Sequence, residues 1–422
     1  MFHAPHRDEV FVAGGQPSVT YVDRQEFHVE RNLARAIATP NQIVSVAGPT
    51  KTGKTVLCRK VLGQRDYIWV DGGTVSDTGD LWERICSELN IPYERTNSTE
   101  TEVGGQIGVD AGFTASGSRL TRTAQIQTHR IQTMSEAIGV LLSEGIILVI
   151  DDFHYLPAEQ RTLLMRNVKA AVFNGLKVLL LSVTHRAFDA IRAESELTGR
   201  FISITLPDWT IEELKQIAVQ GFSALKTDYS NQLILRLAEE AQSSPFLMQK
   251  FCWEICFDCN IEAASLLQRH TIPSDYNADE MFVRLAKDAG LPIYQKLVAG
   301  PQSRKKRTKR PLRTGGEADI YEATLYALAE TGPQASVSYE DLRGALGSLL
   351  ADMMPQKHEI TSALKHLVNI SMKSGADTAI DWDEDRREVN ISDPYLRFYL
   401  RWQVRNRNSA ETPLLSIKGA AH

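Results

Sequence analysis

The sequence predicts an α/β fold: a parallel sheet with flanking helices, then an all-helical segment, then a small module of helices and a hairpin. Three observations carry this. Short apolar runs at Ile43–Ala47, Ile146–Ile150 and Val178–Val183 have the length and β-branched content of strands buried on both faces, with helical stretches between them. Beyond Thr210, apolar residues such as Ile211, Leu214 and Ile217 recur at helical spacing. Near the C-terminus, three helix-like segments precede two short strand-like runs.

Size and composition set bounds on this reading. The chain has 422 residues, enough for two or three domains with real cores. Its hydrophobic content of 43% and charged content of 23% fit an ordinary globular protein. A net charge of −5 argues against a chain that binds polyanions over its whole surface, so any such surface is local. The start, Met1-Phe2-His3-Ala4-Pro5, lacks the basic-then-apolar pattern of a signal peptide, and no apolar run approaches the ~20 residues of a membrane span. Five cysteines in this length suggest a reducing compartment, and a cytoplasmic location is the expectation.

Taken in order, residues 1–20 contain Gly and Pro and are expected to wrap the edge of the first domain. Tyr21–Glu26 leads into a helix reaching about Ala38, with Phe27, Leu33 and Ile37 as its buried stripe. Strand Ile43–Ala47 runs into Gly48-Pro49-Thr50-Lys51-Thr52-Gly53-Lys54-Thr55, and a helix begins by Val56. Gly-x4-Gly-Lys-Thr between a buried strand and a helix is the phosphate-binding loop pattern. Gly48 and Gly53 let backbone N–H groups turn inward at a helix N-terminus, where the dipole favours negative charge. Lys54 would reach the β- and γ-phosphates and Thr55 would ligate Mg2+. Tyr67–Val70 reads as a further strand, and Asp77–Leu89 as a helix.

Residues 93–125, rich in Gly, Ser and Thr, break the pattern. They read either as a surface loop or as a hairpin that touches a partner or DNA. A helix from Gln127 to Ser143 then precedes Ile146–Ile150, which ends in Asp151-Asp152. Carboxylates at the C-terminal end of such a strand fall where open α/β sheets bind ligands. Asp151 would hold Mg2+, and Asp152 would orient an attacking water. A helix near Glu159–Phe173 leads to strand Val178–Val183, with Thr184 and Arg186 on the same rim. Thr184 is placed to sense a γ-phosphate and Arg186 to contact it. Arg200, before the strand Ile202–Leu206, is a candidate arginine finger within the chain or across a subunit boundary. A surface ion pair is the plain alternative for each arginine.

Together these residues resemble the AAA+ and STAND branch of P-loop ATPases, especially origin-recognition-like, transposition-helper and archaeal-type members. The resemblance covers about residues 17–270. In that branch an arginine-containing box like Tyr21–Glu26 precedes the first helix, the sheet has the additional-strand order, and a helical lid follows. Residues 209–270 look like that lid, with Ser243–Met248 where the second-sensor helix begins. Two departures stand out: the acidic pair is Asp-Asp where many members have Asp-Glu, and the second-sensor helix carries no arginine. The latter leans toward STAND-like switches or slow hydrolysis. The resemblance implies ATP/ADP and Mg2+ as cofactors, and no guanine-reading Asn-Lys-x-Asp is present. It also implies homo-oligomers controlled by nucleotide, acting on DNA or on an effector protein.

Cys252, Cys256 and Cys259 could be read as metal ligands with His270, but their i, i+4, i+7 spacing is that of a buried helix face. Arg304–Arg313 is a basic linker, able to touch phosphate backbone or simply solvated. Helices at Asp319–Ala329, from Ser338, and along Ile360–Ile370 precede a hairpin, Thr378–Trp382 with Glu388–Ser392, in the order of a winged helix. The helix after Asp393 carries Arg397, Arg401, Arg405 and Arg407 among Phe398, Tyr399 and Trp402. That helix and the linker are the candidate DNA contacts, against an acidic hairpin. The expected division is an ATPase core over 1–206, a lid over 207–300, the linker over 301–316, the winged helix over 317–407 and a tail over 408–422.

Overall fold

The computed structural model describes residues 4–75, 78–91, 133–183, 199–265, 267–302, 307–373 and 379–405. The Gly-rich insertion at 93–125, Thr184 and Arg186, linker residues 304–306 and Arg407 lie outside the described residues. The chain packs as two compact units. One comprises Arg24–Gly48 and Leu57–Pro207, and the other comprises the residues through Asp23, Pro49–Val56 and everything from Asp208.

A short helix, α1 (Arg7–Val10), opens the chain and belongs to the second unit. The first unit is built around a sheet. After α2 (Val29–Ala38) come β1 (Ile43–Ala47), α3 (Lys54–Leu62), β2 (Tyr67–Asp71), α4 (Thr78–Glu88) and a helix α5 (133–143). Then follow β3 (Ile147–Asp151), α6 (Ala158–Phe173), β4 (Val178–Ser182) and β5 (Phe201–Thr205). The strands are ordered β2-β3-β4-β1-β5 and every neighbouring pair is parallel. β4 is inserted between β3 and β1, which is the additional-strand order.

The unbroken apolar runs follow from this placement. Alternate residues of each inner strand face opposite sides, and both sides are covered. Ile43, Leu148, Ile150, Val178 and Leu180 pack with Leu81, Ile85, Leu141, Leu164 and Val168. Val44, Val46, Val149, Leu179 and Leu181 pack with Leu33, Ile37, Cys58 and Leu62. Each such side chain contributes roughly 1.5–3 kcal/mol on burial. All five strands therefore present their carboxyl ends on one rim.

The second unit is mostly helical. α7 (Ile211–Ala224) begins with a capping box in which the Thr210 hydroxyl accepts from Glu213 N–H and Glu213 accepts from Thr210 N–H. A two-residue strand, β6 (Thr227–Asp228), precedes α8 (Asn231–Glu240) and α9 (Pro245–Asp258), and β7 (His270–Thr271) pairs with β6. α10 (Ala278–Ala299) runs for 22 residues through Pro292. Residues 4–22 pack here, whereas the sequence suggests the sheet's edge. Val10, Phe11 and Val22 are buried in the helical core, and Phe11 meets Phe222 edge-on at 5.2 Å. Three large apolar side chains gain more from that core than from a solvent-facing rim.

After the paired β8 (Arg310–Pro311) and β9 (Glu317–Ala318) comes the C-terminal module. It runs α11 (Ile320–Glu330), β10 (Ser336–Ser338), α12 (Tyr339–Leu349), α13 (Lys357–Lys373), β11 (Ile380–Asp383), β12 (Glu388–Ile391) and α14 (Pro394–Tyr399). The three strands form an antiparallel sheet, β10-β12-β11. The sequence suggests three helices and a hairpin here; the structure adds the short strand β10 between the first two helices, paired with β12 of the hairpin. α14 and the π-turn Leu400–Arg405 join two cores: Phe398 and Trp402 pack with Phe251 and Phe282, while Tyr399 and Leu400 pack in the module's own core.

Candidate active site

The loop between β1 and α3 is shaped by its own backbone. Gly53 has φ +91° and Lys51 φ +60°, so two left-handed residues turn the chain just before α3 begins at Lys54. A side chain at Gly53 would meet no atom within 4 Å, so what excludes it is the dihedral and not space. Inside the turn the carbonyl of Pro49 accepts from the Thr52 hydroxyl at 2.7 Å and from Lys54 Nζ at 2.9 Å. Thr50, Thr52 and Lys54 are buried, and Thr50 Oγ1 has no hydrogen-bond partner. A buried hydroxyl left unmatched beside a buried ammonium, at the start of a helix, suits a polyanion at this spot.

The acidic pair stands on the rim from which Gly48 leaves the sheet. Gly48 N–H donates to the carbonyl of Ser182 at 3.2 Å, fixing the end of β1 to the end of β4. β4 in turn pairs with β3, which ends at Asp151, so Asp151 lies about two strand spacings, roughly 10 Å, from β1. Asp151 Oδ1 accepts from Asp152 N–H at 2.9 Å, and Asp152 turns left-handed at φ +50°. Gly72 sets the height of this turn: a Cβ there would lie 2.9 Å from the Asp152 carbonyl oxygen and 3.1 Å from that of Asp151. Ser182 Oγ, on the same rim, is buried without a partner.

Within the second unit the loop has neighbours that no local motif announces. Trp209 Nε1 donates to the carbonyl of Thr52 at 2.9 Å. Lys51 Nζ lies 3.1 Å from Asp393 Oδ1 and 4.2 Å from the centre of the Tyr395 ring. Asp393 is 7% exposed and caps α14, its Oδ1 also accepting from Tyr395 N–H at 2.8 Å. Burial, reinforced by Asp393, pushes the Tyr395 phenol well above its usual range, so the ring meets Lys51 as a neutral π face.

Other candidates fall elsewhere. Arg200 precedes the first residue of β5, and its carbonyl accepts from Ile43 N–H at 2.8 Å. It therefore sits at the amino end of β1 and β5, the opposite rim from Gly48, with its guanidinium 4.8 Å from the Phe173 ring centre. Parallel pairing sends the residue before β5 to that rim, so a finger role within its own site does not fit its position.

Cys252 and Cys256 are fully buried in the helical core, and burial pushes the Cys256 thiol up to about 12. Among the described residues, three of the candidate DNA-contacting arginines are held internally. Arg307 bonds Asp319 at 2.9 Å, Arg310 bonds Glu359 at 2.7 Å, and Arg401 forms a fork with Glu240 at 2.7 and 2.8 Å. Phe398, Tyr399 and Trp402 are core residues.

Comparison with known proteins agrees with this geometry. Residues 37–188 match a family model described as an AAA domain. Among solved structures, a Walker-type ATPase of Pyrococcus abyssi aligns with a TM-score of 0.51 and 14% identity, covering 90% of this chain and 96% of that one. Cdc6p of Pyrobaculum aerophilum aligns with a TM-score of 0.44 and 13% identity over 95% and 97% of the two chains. The ORC2 protein of Aeropyrum pernix aligns with a TM-score of 0.49 and 12% identity, again over 95% and 97%. The curated proteins give no match. Residues 37–188 thus match an AAA domain, and the chain shares its fold with the Walker-type ATPase of Pyrococcus abyssi.

Proposed function

We propose that the protein binds and hydrolyses ATP, and that the nucleotide state controls its assembly and its engagement with DNA or an effector protein. The observation that carries this is the β1–α3 loop, with its two left-handed residues and the buried, unmatched Thr50 hydroxyl; in the sheet unit, Gly48 leaves β1 on the rim where β3 ends in Asp151. Gly48 to Thr55 with Val56 would cradle the phosphates through backbone amides, and Lys54 would neutralise charge on the terminal phosphates. Thr55 and Asp151 are the residues that would hold Mg2+, which supplies charge neutralisation between the phosphates when bound. Asp152, displaced from the strand by its left-handed turn, would orient the attacking water for in-line displacement. Thr184 and Arg186 remain candidates for the γ-phosphate side of the site, and Arg200 for a contact made across a subunit boundary.

Steady-state hydrolysis and nucleotide binding test this directly. Lys54→Ala is expected to abolish binding or turnover, and Asp152→Ala to bind ATP without releasing product. Wild-type rates in both variants would end the proposal. A second reading, a slow switch that holds nucleotide while its C-terminal module restrains it, is favoured by one contact: Lys51 of the loop is paired with Asp393 of that module. Nucleotide co-purifying with the protein, with negligible turnover, would select that reading.

A further inference from the structure

The structure assigns Arg397, on the C-terminal helix α14, as a ligand of the nucleotide's phosphates. The assignment rests on the nucleotide site proposed above and supplies that site with a cation from outside the AAA domain. Arg397 is 7% exposed. Its Nη2 donates to the carbonyl of Gln242 at 2.9 Å, while its Nε is buried without any partner. Burial pulls its pKa down, against the upward pull of the Asp208 and Asp393 carboxylates. No ion pair to either carboxylate accompanies that pull among the described residues, so charge is compensated at a distance and the fork is left incompletely used. A buried guanidinium in that condition is costly unless a second acceptor arrives.

Its surroundings say which acceptor. Asp393, one helical turn before Arg397 and on the same face of α14, holds Lys51 of the phosphate loop. Asp208 precedes Trp209, whose indole is bonded to Thr52 of that loop. Gln242 lies three residues before the first turn of α9, whose N-terminus favours anions. Arg397 thus stands among groups that contact the loop, beside a helix start and with a donor to spare. A phosphate oxygen accepts from such a fork in the geometry guanidinium prefers. No arginine lies in α9 itself, and its one lysine, Lys250, is paired with Glu254 at 2.8 Å.

The test is the affinity of the full-length protein for fluorescent ADP and a slowly hydrolysed ATP analogue, with thermal unfolding in the absence of nucleotide as the fold control. Arg397→Gln keeps an N–H donor for the Gln242 carbonyl but loses the charge, whereas Arg397→Lys keeps the charge. If the arginine grips phosphate, the Gln variant weakens binding of the triphosphate by about 10- to 100-fold and the Lys variant recovers part of that loss. If it only ties two helices together, the Gln variant binds like wild type, which overturns the assignment. Wild-type protein that fails to bind either nucleotide would overturn the nucleotide site as well, so the two failures are distinguishable. Should both variants unfold, hydrogen exchange of wild type decides: amides of the 394–405 segment are expected to gain protection with the triphosphate analogue, and unchanged exchange rejects the role.

Discussion

Four of the five cysteines are buried and only Cys259 is partly open to solvent. Desolvation disfavours the thiolate, and at a pKa of about 12 Cys256 is ionised at pH 8 to the extent of about one part in ten thousand. A thiol-reactive dye at pH 8 is therefore expected to label one cysteine quickly in the native protein and all five after denaturation. Rapid labelling of three would contradict the buried packing around α9. Some residues of this kind are legible in sequence because their chemistry is local. The i, i+4, i+7 cysteines mark a helix face, and Gly48–Thr55 spells its own loop. The partners of that loop are not legible: Lys51 meets Asp393 across 342 positions and Thr52 meets Trp209 across 157. Only packing brings such pairs together. Arg397 hides for a related reason, since an arginine among aromatics at a C-terminal helix reads equally well as a DNA contact.

Elements were readable where periodicity and burial agree. The inner strands appear as apolar runs because helices cover both faces, and their limits match the sequence reading to within a residue. α10 is harder, because Pro292 removes a backbone donor from its interior and yet the helix continues through it. β4 ends at Ser182, and Thr184 lies outside the described residues. One tie between elements carries a measurable prediction. Glu240, at the end of α8 and wholly buried, accepts from Arg401 through both oxygens and from Trp402 Nε1 at 2.8 Å. Glu240→Ala would leave a partly buried guanidinium and an indole N–H without acceptors, at a cost of about 2–4 kcal/mol. Urea unfolding followed by circular dichroism measures this, and a loss below roughly 0.5 kcal/mol would mean that the closing helix is held by its aromatic core alone.

Across the whole molecule, charge is distributed in a way that limits non-specific nucleic-acid binding. The net charge is −5, and the hairpin's Glu384 is paired with Lys365 while Arg387 is paired with Glu340. Engagement of DNA, if it belongs to this protein, is then expected to require assembly that sums weak local surfaces. Mass photometry with ADP and with a slowly hydrolysed ATP analogue, each with and without duplex DNA, should show larger species with the triphosphate, and DNA association only in those species. An unchanged mass distribution in all four conditions would remove nucleotide-controlled assembly from the account.

The pairing of Lys51 with Asp393 also orders events during synthesis. Because 342 positions separate the two, the carboxylate emerges from the ribosome on the order of half a minute after the lysine. If the loop binds nucleotide as proposed, a nascent chain whose sheet has formed could load it before Asp393 exists. The finished protein would begin life already charged, and Asp393 would govern release and reloading but not that first occupancy.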